Sequence, residues 1–295
     1  MQALNGKVAV ITGGGSGLGR ELALCCAARG MKLILGDVDE KGMAETLRLV
    51  EEASPGTESA TMRLDVSKLE QMQAFADLAK SRFGSAHVIF NNAGVSVGGP
   101  AWENTPHDWE WVMGVNLYGV VWGVKVFTPM LIAQNEGHIV NTASAAGWLN
   151  GPNMSIYNVT KHSVVALSET LALDLRDVGA NVGVTCLCPA FFPTAIHESA
   201  RNRPADKGET ITPSETALKR AELTKEAATL PSVVISSAAA GNAVMMASGY
   251  FNPLTGFMNL ADSLAVAEGM KTTGGLFWPV PVVNVVEDAS AIQGA

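Results

Sequence analysis

An α/β fold with a parallel sheet is predicted by two features of the sequence. Short apolar segments typical of buried strands alternate with longer amphipathic segments typical of helices, such as Leu69 to Arg82 and Asp108 to Gln134. The first apolar segment, Lys7 to Thr12, runs directly into a glycine-rich turn and a helical pattern. Strands joined through helices form parallel sheets covered on both faces. We therefore predict a doubly wound three-layer fold with a central parallel sheet of about six to seven strands.

Composition fits one such domain over residues 1–295. The chain is 47% hydrophobic, which supports a large buried core. Its formal charge of -8, with no long basic run, argues against nucleic-acid binding and gives no electrostatic reason for membrane binding. The first residues lack the basic and apolar regions of a signal peptide, so we expect a cytoplasmic protein.

The glycine-rich turn from Gly13 to Gly19 predicts a dinucleotide site of the Rossmann-like kind. Glycines allow a tight turn and close approach of a pyrophosphate, and the helix N-terminus offers N–H groups and a partial positive charge. The flanking strand and helix distinguish this turn from a flexible loop. The expected contacts are Gly13, Ser16, Gly17, Leu18 and Gly19.

Asp37 ends the second predicted strand, about twenty positions beyond the glycine turn. A carboxylate there accepts hydrogen bonds from the adenine ribose, which favours NAD over NADP. A 2′-phosphate would meet like charge, and Arg20 is a poorly placed partner for it. The alternative interpretation of Asp37 is a solvated strand end.

Tyr157 and Lys161 lie four positions apart on a predicted helix, so their side chains share one face. A phenol normally titrates near about 10, and an adjacent cation lowers its pKa. The pair is therefore a candidate for proton transfer, although an exposed pair on a helix surface has the same spacing.

The order of motifs resembles that of the short-chain dehydrogenase/reductase family over roughly residues 5 to 200. The turn reads Thr-Gly-x-x-x-Gly-x-Gly from Thr12, and Asn-Asn-Ala-Gly follows the fourth strand. The resemblance implies further cofactor contacts at Asp65, Val66, Asn92, Ala93, Gly94, Tyr157, Lys161, Pro189, Phe192 and Thr194. Ala190 stands where the family has glycine, in a segment made bulkier by two phenylalanines and a proline.

The resemblance also implies a catalytic tetrad of Asn116, Ser144, Tyr157 and Lys161. Tyr157 would be the general acid or base, and Ser144 would bind the substrate oxygen. Lys161 would lower the tyrosine pKa and bind the nicotinamide ribose, and Asn116 would support a relay water through a local helix distortion between Gly114 and Gly119. The alternatives are a capping role for Ser144 and a polar helix position for Asn116.

Substrate recognition is expected in the loop from Val95 to Pro106 and in a lid over residues 195–229. Trp102, Trp148, Met154 and Phe192 are candidates for an apolar pocket, with Ser144 and Tyr157 at its reacting end. The expected substrate is a hydrophobic or aromatic secondary alcohol or ketone. The run from Arg201 to Pro204 is similar to one in relatives acting on aromatic alcohols, or it caps a lid helix.

The C-terminal region, residues 230–295, does not match the family's usual end. We expect a buried or lid-like helix over Ser232 to Phe251 in preference to a membrane helix, and Gly275 to Val286 is a candidate seventh strand. The four cysteines have no zinc or disulfide spacing, so we predict buried thiols and no metal.

The resemblance implies a homodimer or homotetramer, formed by the helices that carry Asn116 and Tyr157. Several apolar positions could serve this interface or the core: Val120, Val121, Val124, Val164, Val165 and Leu171. The alternative to an NAD-linked enzyme is a catalytically silent protein that senses nucleotides or acts as a scaffold.

Overall fold

The sheet lies at the centre of a computed structural model that describes residues 4–189, 194–208, 235–239 and 242–246. Its described strands run in the order β3-β2-β1-β4-β5-β6-β8-β7. They are β1 Val8–Thr12, β2 Lys32–Asp37, β3 Ser59–Arg63, β4 Val88–Asn91, β5 Gly137–Thr142, β6 Val182–Leu187, β7 Ile235–Ala239 and β8 Asn242–Met246. The first six are parallel, which confirms the predicted doubly wound sheet.

Helices connect the parallel strands. The α-helices are α1 Gly17–Ala27, α2 Glu40–Ala53, α3 Leu69–Phe83, α4 Pro106–Met113, α5 Gly119–Gln134 and α6 Ser155–Asp177. A π-helix, Gly114–Tyr118, joins α4 to α5. Short 3-10 helices cover Ala145–Gly147, Ala195–Asn202 and Ala205–Lys207. The strand order changes direction between β1 and β4, and in such sheets ligands bind at the carboxyl ends of the strands beside that point.

The core has two apolar layers, one on each face of the sheet. Val8 and Val10 of β1 pack with Phe75 of α3 and Phe127 of α5. The alternate residues of β1 pack on the other face with α1 and α2. Because successive side chains of a strand point to opposite faces, the continuous apolar run of β1 fills both layers.

The segment 106–134 contains an 18-residue window with a mean hydropathy of 1.4, which is long and apolar enough to cross a membrane by length and composition alone. It comprises α4, the π-helix and α5, and it places Trp111, Val120 and Phe127 among the buried residues. A core helix of a soluble protein has the same character, so this stretch is consistent with a soluble fold.

The expected helix over Ser232 to Phe251 is wrong for its described residues. β8 pairs parallel with β6, Thr185 opposite Ala243, and β7 pairs antiparallel with β8. The physical reason is local, since Val233, Val234 and Ile235 are β-branched and Gly241 disfavours a helix interior. The candidate strand Gly275 to Val286 and residues 209–229 of the expected lid lie outside the described residues.

Candidate active site

The glycine turn between β1 and α1 is closely packed on both of its sides. Gly17 has a φ of +51°, and a Cβ added there would lie 3.1 Å from Cγ2 of Thr194. At Gly19 an added Cβ would lie 2.0 Å from the carbonyl oxygen of Gly13. Only glycine fits these two positions, and α1 begins at Gly17 with its N-terminus at the turn. The backbone is therefore shaped for the close approach of a phosphate group.

Asp37 and Arg20 hold the turn from two directions. Oδ2 of Asp37 accepts a hydrogen bond from the amide of Gly15 at 2.8 Å. The guanidinium of Arg20 donates to the carbonyl of Gly15 at 2.7 Å and to Oγ1 of Thr46 at 3.0 Å. Arg20 is thus engaged by the turn itself, which agrees with its poor placement for a 2′-phosphate.

Thr12 joins the glycine turn to the loop after β4. Its Oγ1 accepts hydrogen bonds from the amides of Asn92 at 2.9 Å and Ala93 at 3.1 Å. The Asn92 side chain donates in return to the carbonyl of Thr12 at 3.1 Å. These contacts bring the two predicted cofactor segments together at the ends of neighbouring strands.

Asn116 lies fully buried in the π-helix, where the sequence predicted a helix distortion. Its side chain exchanges two hydrogen bonds with the backbone of Val95, at 2.8 and 2.9 Å, and donates to Oγ1 of Thr160 at 3.3 Å. Asn116 therefore links the loop after β4 to α6. A Cβ added at Gly94 would lie 3.6 Å from Oδ1 of Asn116 and 3.7 Å from Nζ of Lys161, so the three residues are neighbours.

Ser144, Tyr157 and Lys161 meet where β5 ends against α6. The Ser144 hydroxyl hydrogen-bonds the Tyr157 phenol, and it also accepts from the amide of Ala146 as the cap of a 3-10 helix. Nζ of Lys161 donates to the carbonyl of Thr142 at 2.7 Å and lies 5.6 Å from the centre of the Tyr157 ring. Ser144 therefore caps the 3-10 helix and also lies beside the Tyr157 phenol, so the capping role does not exclude a catalytic one.

Burial shifts the pKa values of this pair. It raises the pKa of Tyr157, and the hydrogen bond from Ser144 opposes that rise. It also lowers the pKa of Lys161 to about 8, so the ammonium persists at neutral pH. The expected lowering of the Tyr157 pKa by Lys161 is therefore wrong for this structure, because the desolvation of the phenol dominates.

One cleft of about 510 Å³ collects most of the predicted cofactor and catalytic residues. Those along its walls are Gly13, Ser16, Gly17, Leu18, Asp37, Asp65, Val66, Asn92, Ala93, Gly94, Ser144, Tyr157, Lys161, Pro189 and Thr194. Gly19 lies beneath the turn and Asn116 behind Gly94. Phe192 lies outside the described residues.

The predicted apolar pocket residues do not line this cleft. Trp102 is 85% exposed. Trp148 packs beside Cys186, and its indole N–H donates to Sγ of Cys188 at 3.4 Å. Met154 precedes α6, and its backbone pairs with Gly99. The structure places these three residues outside the walls of this cleft, and their contact with the substrate stays a prediction.

Trp111 and Ser199 are among the wall residues that the sequence analysis did not single out, although Ser199 falls within its predicted lid over residues 195–229. Trp111 lies on α4, and Ser199 lies on the segment after β6, where its Oγ accepts from the amide of Ser96 at 3.0 Å. The sequence analysis gave Trp111 no role beyond its place in the amphipathic segment Asp108 to Gln134. All four cysteines are buried and none is in a disulfide, as predicted. Among the described residues, His, Cys, Asp and Glu form no group that could hold a metal ion.

A glycine turn at the switch point of a doubly wound sheet, facing a half-buried tyrosine and a buried lysine, defines the class of nicotinamide-dependent oxidoreductases. The chain belongs to the short-chain dehydrogenase family, which matches residues 7–205.

The chain is similar to several members of that family. A solved short-chain dehydrogenase/reductase from Burkholderia phymatum in complex with NAD is 49% identical, with a TM-score of 0.72, covering 77% of this chain and 80% of that one. Levodione reductase of Leifsonia aquatica is 35% identical over 66% of this chain and 72% of its own length. Cyclohexanol dehydrogenase of an Acinetobacter strain is 33% identical over 65% of this chain and 75% of its own length.

The C-terminal region matches a different family. Residues 204–294 match a PUA-like domain. The chain is also 66% identical over 76 residues to the sulfate adenylyltransferase of Alcanivorax borkumensis, a stretch that covers 26% of this chain and 19% of that protein. The two family matches meet at residues 204–205, directly after the segment that carries Ser199.

Proposed function

We propose that this chain is an NAD(H)-dependent dehydrogenase that interconverts a hydrophobic secondary alcohol and its ketone. The observation that carries the proposal is one cleft that holds both the glycine turn and the group of Ser144, Tyr157 and Lys161. Catalytic proton donors must lie beside the reacting carbon and the hydride carrier. A silent nucleotide sensor, the alternative, has no need of a buried ammonium beside a half-buried phenol.

The cleft residues fit a dinucleotide. Gly17 has a positive φ and no side chain, which lets the backbone of the turn approach a phosphate closely, and the N-terminus of α1 supplies its amides. Asp65 and Val66 would border the adenine, and Lys161, Pro189 and Thr194 would hold the nicotinamide end. When bound, the nicotinamide supplies or accepts the hydride.

Asp37 supports NAD as the preferred cofactor. Its carboxylate lies at the wall of the cleft beside the turn, where it would accept the ribose hydroxyls and repel a 2′-phosphate. The similar Burkholderia phymatum enzyme was solved with NAD. A clear kinetic preference for NADP would overturn this part of the proposal.

In the proposed reduction, the phenol of Tyr157 donates its proton to the substrate oxygen. The phenol is protonated at neutral pH, as a general acid requires, because the ordinary pKa of tyrosine is about 10 and burial raises the pKa of Tyr157 above that value. The Ser144 hydroxyl donates a hydrogen bond to the same oxygen, and the Lys161 ammonium favours the phenolate that remains. Oxidation runs the same steps backwards, with the phenolate as base.

The substrate proposal rests on apolar walls and on relatives. Val95, Trp111 and Ile196 are apolar residues of the cleft. Levodione reductase and cyclohexanol dehydrogenase are named for a ketone and a secondary alcohol. A cyclic or aromatic secondary alcohol is therefore the first candidate.

The test is nicotinamide absorbance with NAD or NADP and matched alcohol and ketone pairs. We expect turnover of cyclohexanol or an aryl carbinol with NAD and reduction of the corresponding ketone with NADH. Binding of NADH without turnover of any pair in either direction would favour the sensor over the enzyme.

The oligomeric state and the division of the chain are also proposals. Tyr118 and Val159 are exposed apolar residues of the helices that carry the site, whereas Val120, Val164, Val165 and Leu171 are buried within the subunit. The exposed positions support a homodimer or homotetramer through α5 and α6. The second family match favours a boundary near residue 204 over a single domain across residues 1–295.

A further inference from the structure

Arg203 and Asp108 form a buried ion pair between segments 95 residues apart. Nη1 of Arg203 lies 2.7 Å from Oδ1 of Asp108, and the two side chains are 5% and 0% exposed. The guanidinium also donates to the carbonyls of Lys207 at 2.8 Å and Gly208 at 2.7 Å. Its carbon lies 5.2 Å from the ring centre of Trp111, a wall residue of the cleft. A planar guanidinium can satisfy these partners together, whereas an ammonium cannot.

The orientation of the Asp108 carboxylate is fixed by contacts other than the one with Arg203. Its Oδ2 accepts hydrogen bonds from the amide and the hydroxyl of Thr105, each at 2.8 Å. These contacts complete a capping box at the start of α4. Oδ1 therefore faces Arg203 from a rigid helix end.

We call residues 194–208 the strap, because they cross the cleft and are held at three places. Thr194 lies against Gly17 of the glycine turn. Ser199 bonds the backbone of Ser96 in the middle of the strap, and Arg203 bonds Asp108 near its far end. The nearby exposed pair of Lys207 and Glu110 contributes little, because surface ion pairs are weak.

We infer that Arg203 is a positioning residue that anchors the strap over the cleft and sets the affinity for cofactor and substrate. Without this anchor, the strap must be ordered at the moment of binding, and that ordering weakens affinity. Tyr157 and Lys161 lie on α6 and Ser144 caps the 3-10 helix after β5, so none of them is part of the strap and we expect the chemical step to be unchanged. This inference rests on the proposed function, because its readouts are NADH binding and turnover.

The experiment compares Arg203→Gln, Arg203→Lys, Asp108→Asn and the double variant Asp108→Asn/Arg203→Gln in the full chain. NADH affinity is measured by titration, kcat and KM by turnover, and folding by circular dichroism. We expect Arg203→Gln to raise the NADH Kd and the KM by about tenfold with kcat within about twofold. The NADH Kd and the KM of Arg203→Lys should lie between the values of Arg203→Gln and those of the wild type. The matched control is Arg48→Gln, which removes an exposed ion-paired arginine from α2.

The double variant separates positioning from folding. It replaces the ions by two amides that can hydrogen-bond, so no unpaired charge is buried and its Kd should recover towards the wild-type value. A folded Arg203→Gln variant with wild-type Kd and KM, or with reduced kcat at unchanged KM, would overturn the inference. If Arg203→Gln does not fold, the Kd, KM and kcat of Arg203→Lys and of the double variant test the inference by the same criteria. A wild-type chain that binds no NADH would refute the proposed function instead.

Discussion

At the scale of single residues, burial governs the site. The same desolvation that raises the pKa of Tyr157 also lowers the pKa of Lys161 to about 8 from 10.5. The chain thus buries a charge that its fold would not otherwise require. Retaining that charge is a cost in stability, which is common where residues are placed for chemistry.

Replacing Lys161 by Met should stabilise the fold at pH 7 and abolish turnover. The folded-state pKa of Lys161 lies below its unfolded value, so the penalty is fully present below about pH 8 and is lost as pH rises towards 10.5. The shift corresponds to a penalty on the order of 3 kcal/mol. The wild type should therefore gain stability relative to Lys161→Met over that pH range. Urea unfolding at several pH values measures this, and a constant difference across the range would contradict it.

At the scale of elements, turn chemistry was predictable and long-range pairing was not. The glycine turn carries a local signal, its clustered glycines, whereas the distortion around Asn116 was implied by the family resemblance, with Gly114 and Gly119 on either side. Asp108 and Arg203 have no such signal, because only the fold brings them together. The apolar run before Gly241 failed as a helix prediction, since short apolar runs fit a strand equally well.

Gly19→Ala should abolish NADH binding. Its methyl group would lie 2.0 Å from a backbone carbonyl oxygen, so the turn must change shape. We expect a loss of stability of about 1–3 kcal/mol as well. Gly151→Ala is the control, because its methyl group meets only Sδ of Met154 at 3.5 Å. Equal NADH affinity of Gly19→Ala and wild type, measured by fluorescence titration, would show that the turn does not hold the cofactor.

At the scale of the whole molecule, the chain joins two family matches. The short-chain dehydrogenase match ends at residue 205, and the PUA-like match begins at residue 204. The sequence analysis found no family resemblance from residue 230 onward and placed a lid over residues 195–229, so the change between the two matches lies earlier than it predicted. It could not identify the second family, because no motif of known chemistry marks that region.

Calorimetry of the full chain should show two unfolding transitions if the C-terminal region is a separate unit. NADH stabilises only the part that binds it. We therefore expect NADH to raise the midpoint temperature of one transition and to leave that of the other unchanged. A single transition that moves as a whole would instead support one cooperative domain over residues 1–295.

The central claim is that Tyr157 moves the proton in a nicotinamide-dependent reaction. The most direct measurement compares wild type and Tyr157→Phe in alcohol oxidation with NAD, alongside NADH titration of both proteins. Loss of a general acid or base lowers rates by about 10²–10⁴-fold. We predict a fall of that size in kcat with NADH affinity retained. Full activity in Tyr157→Phe would contradict the account.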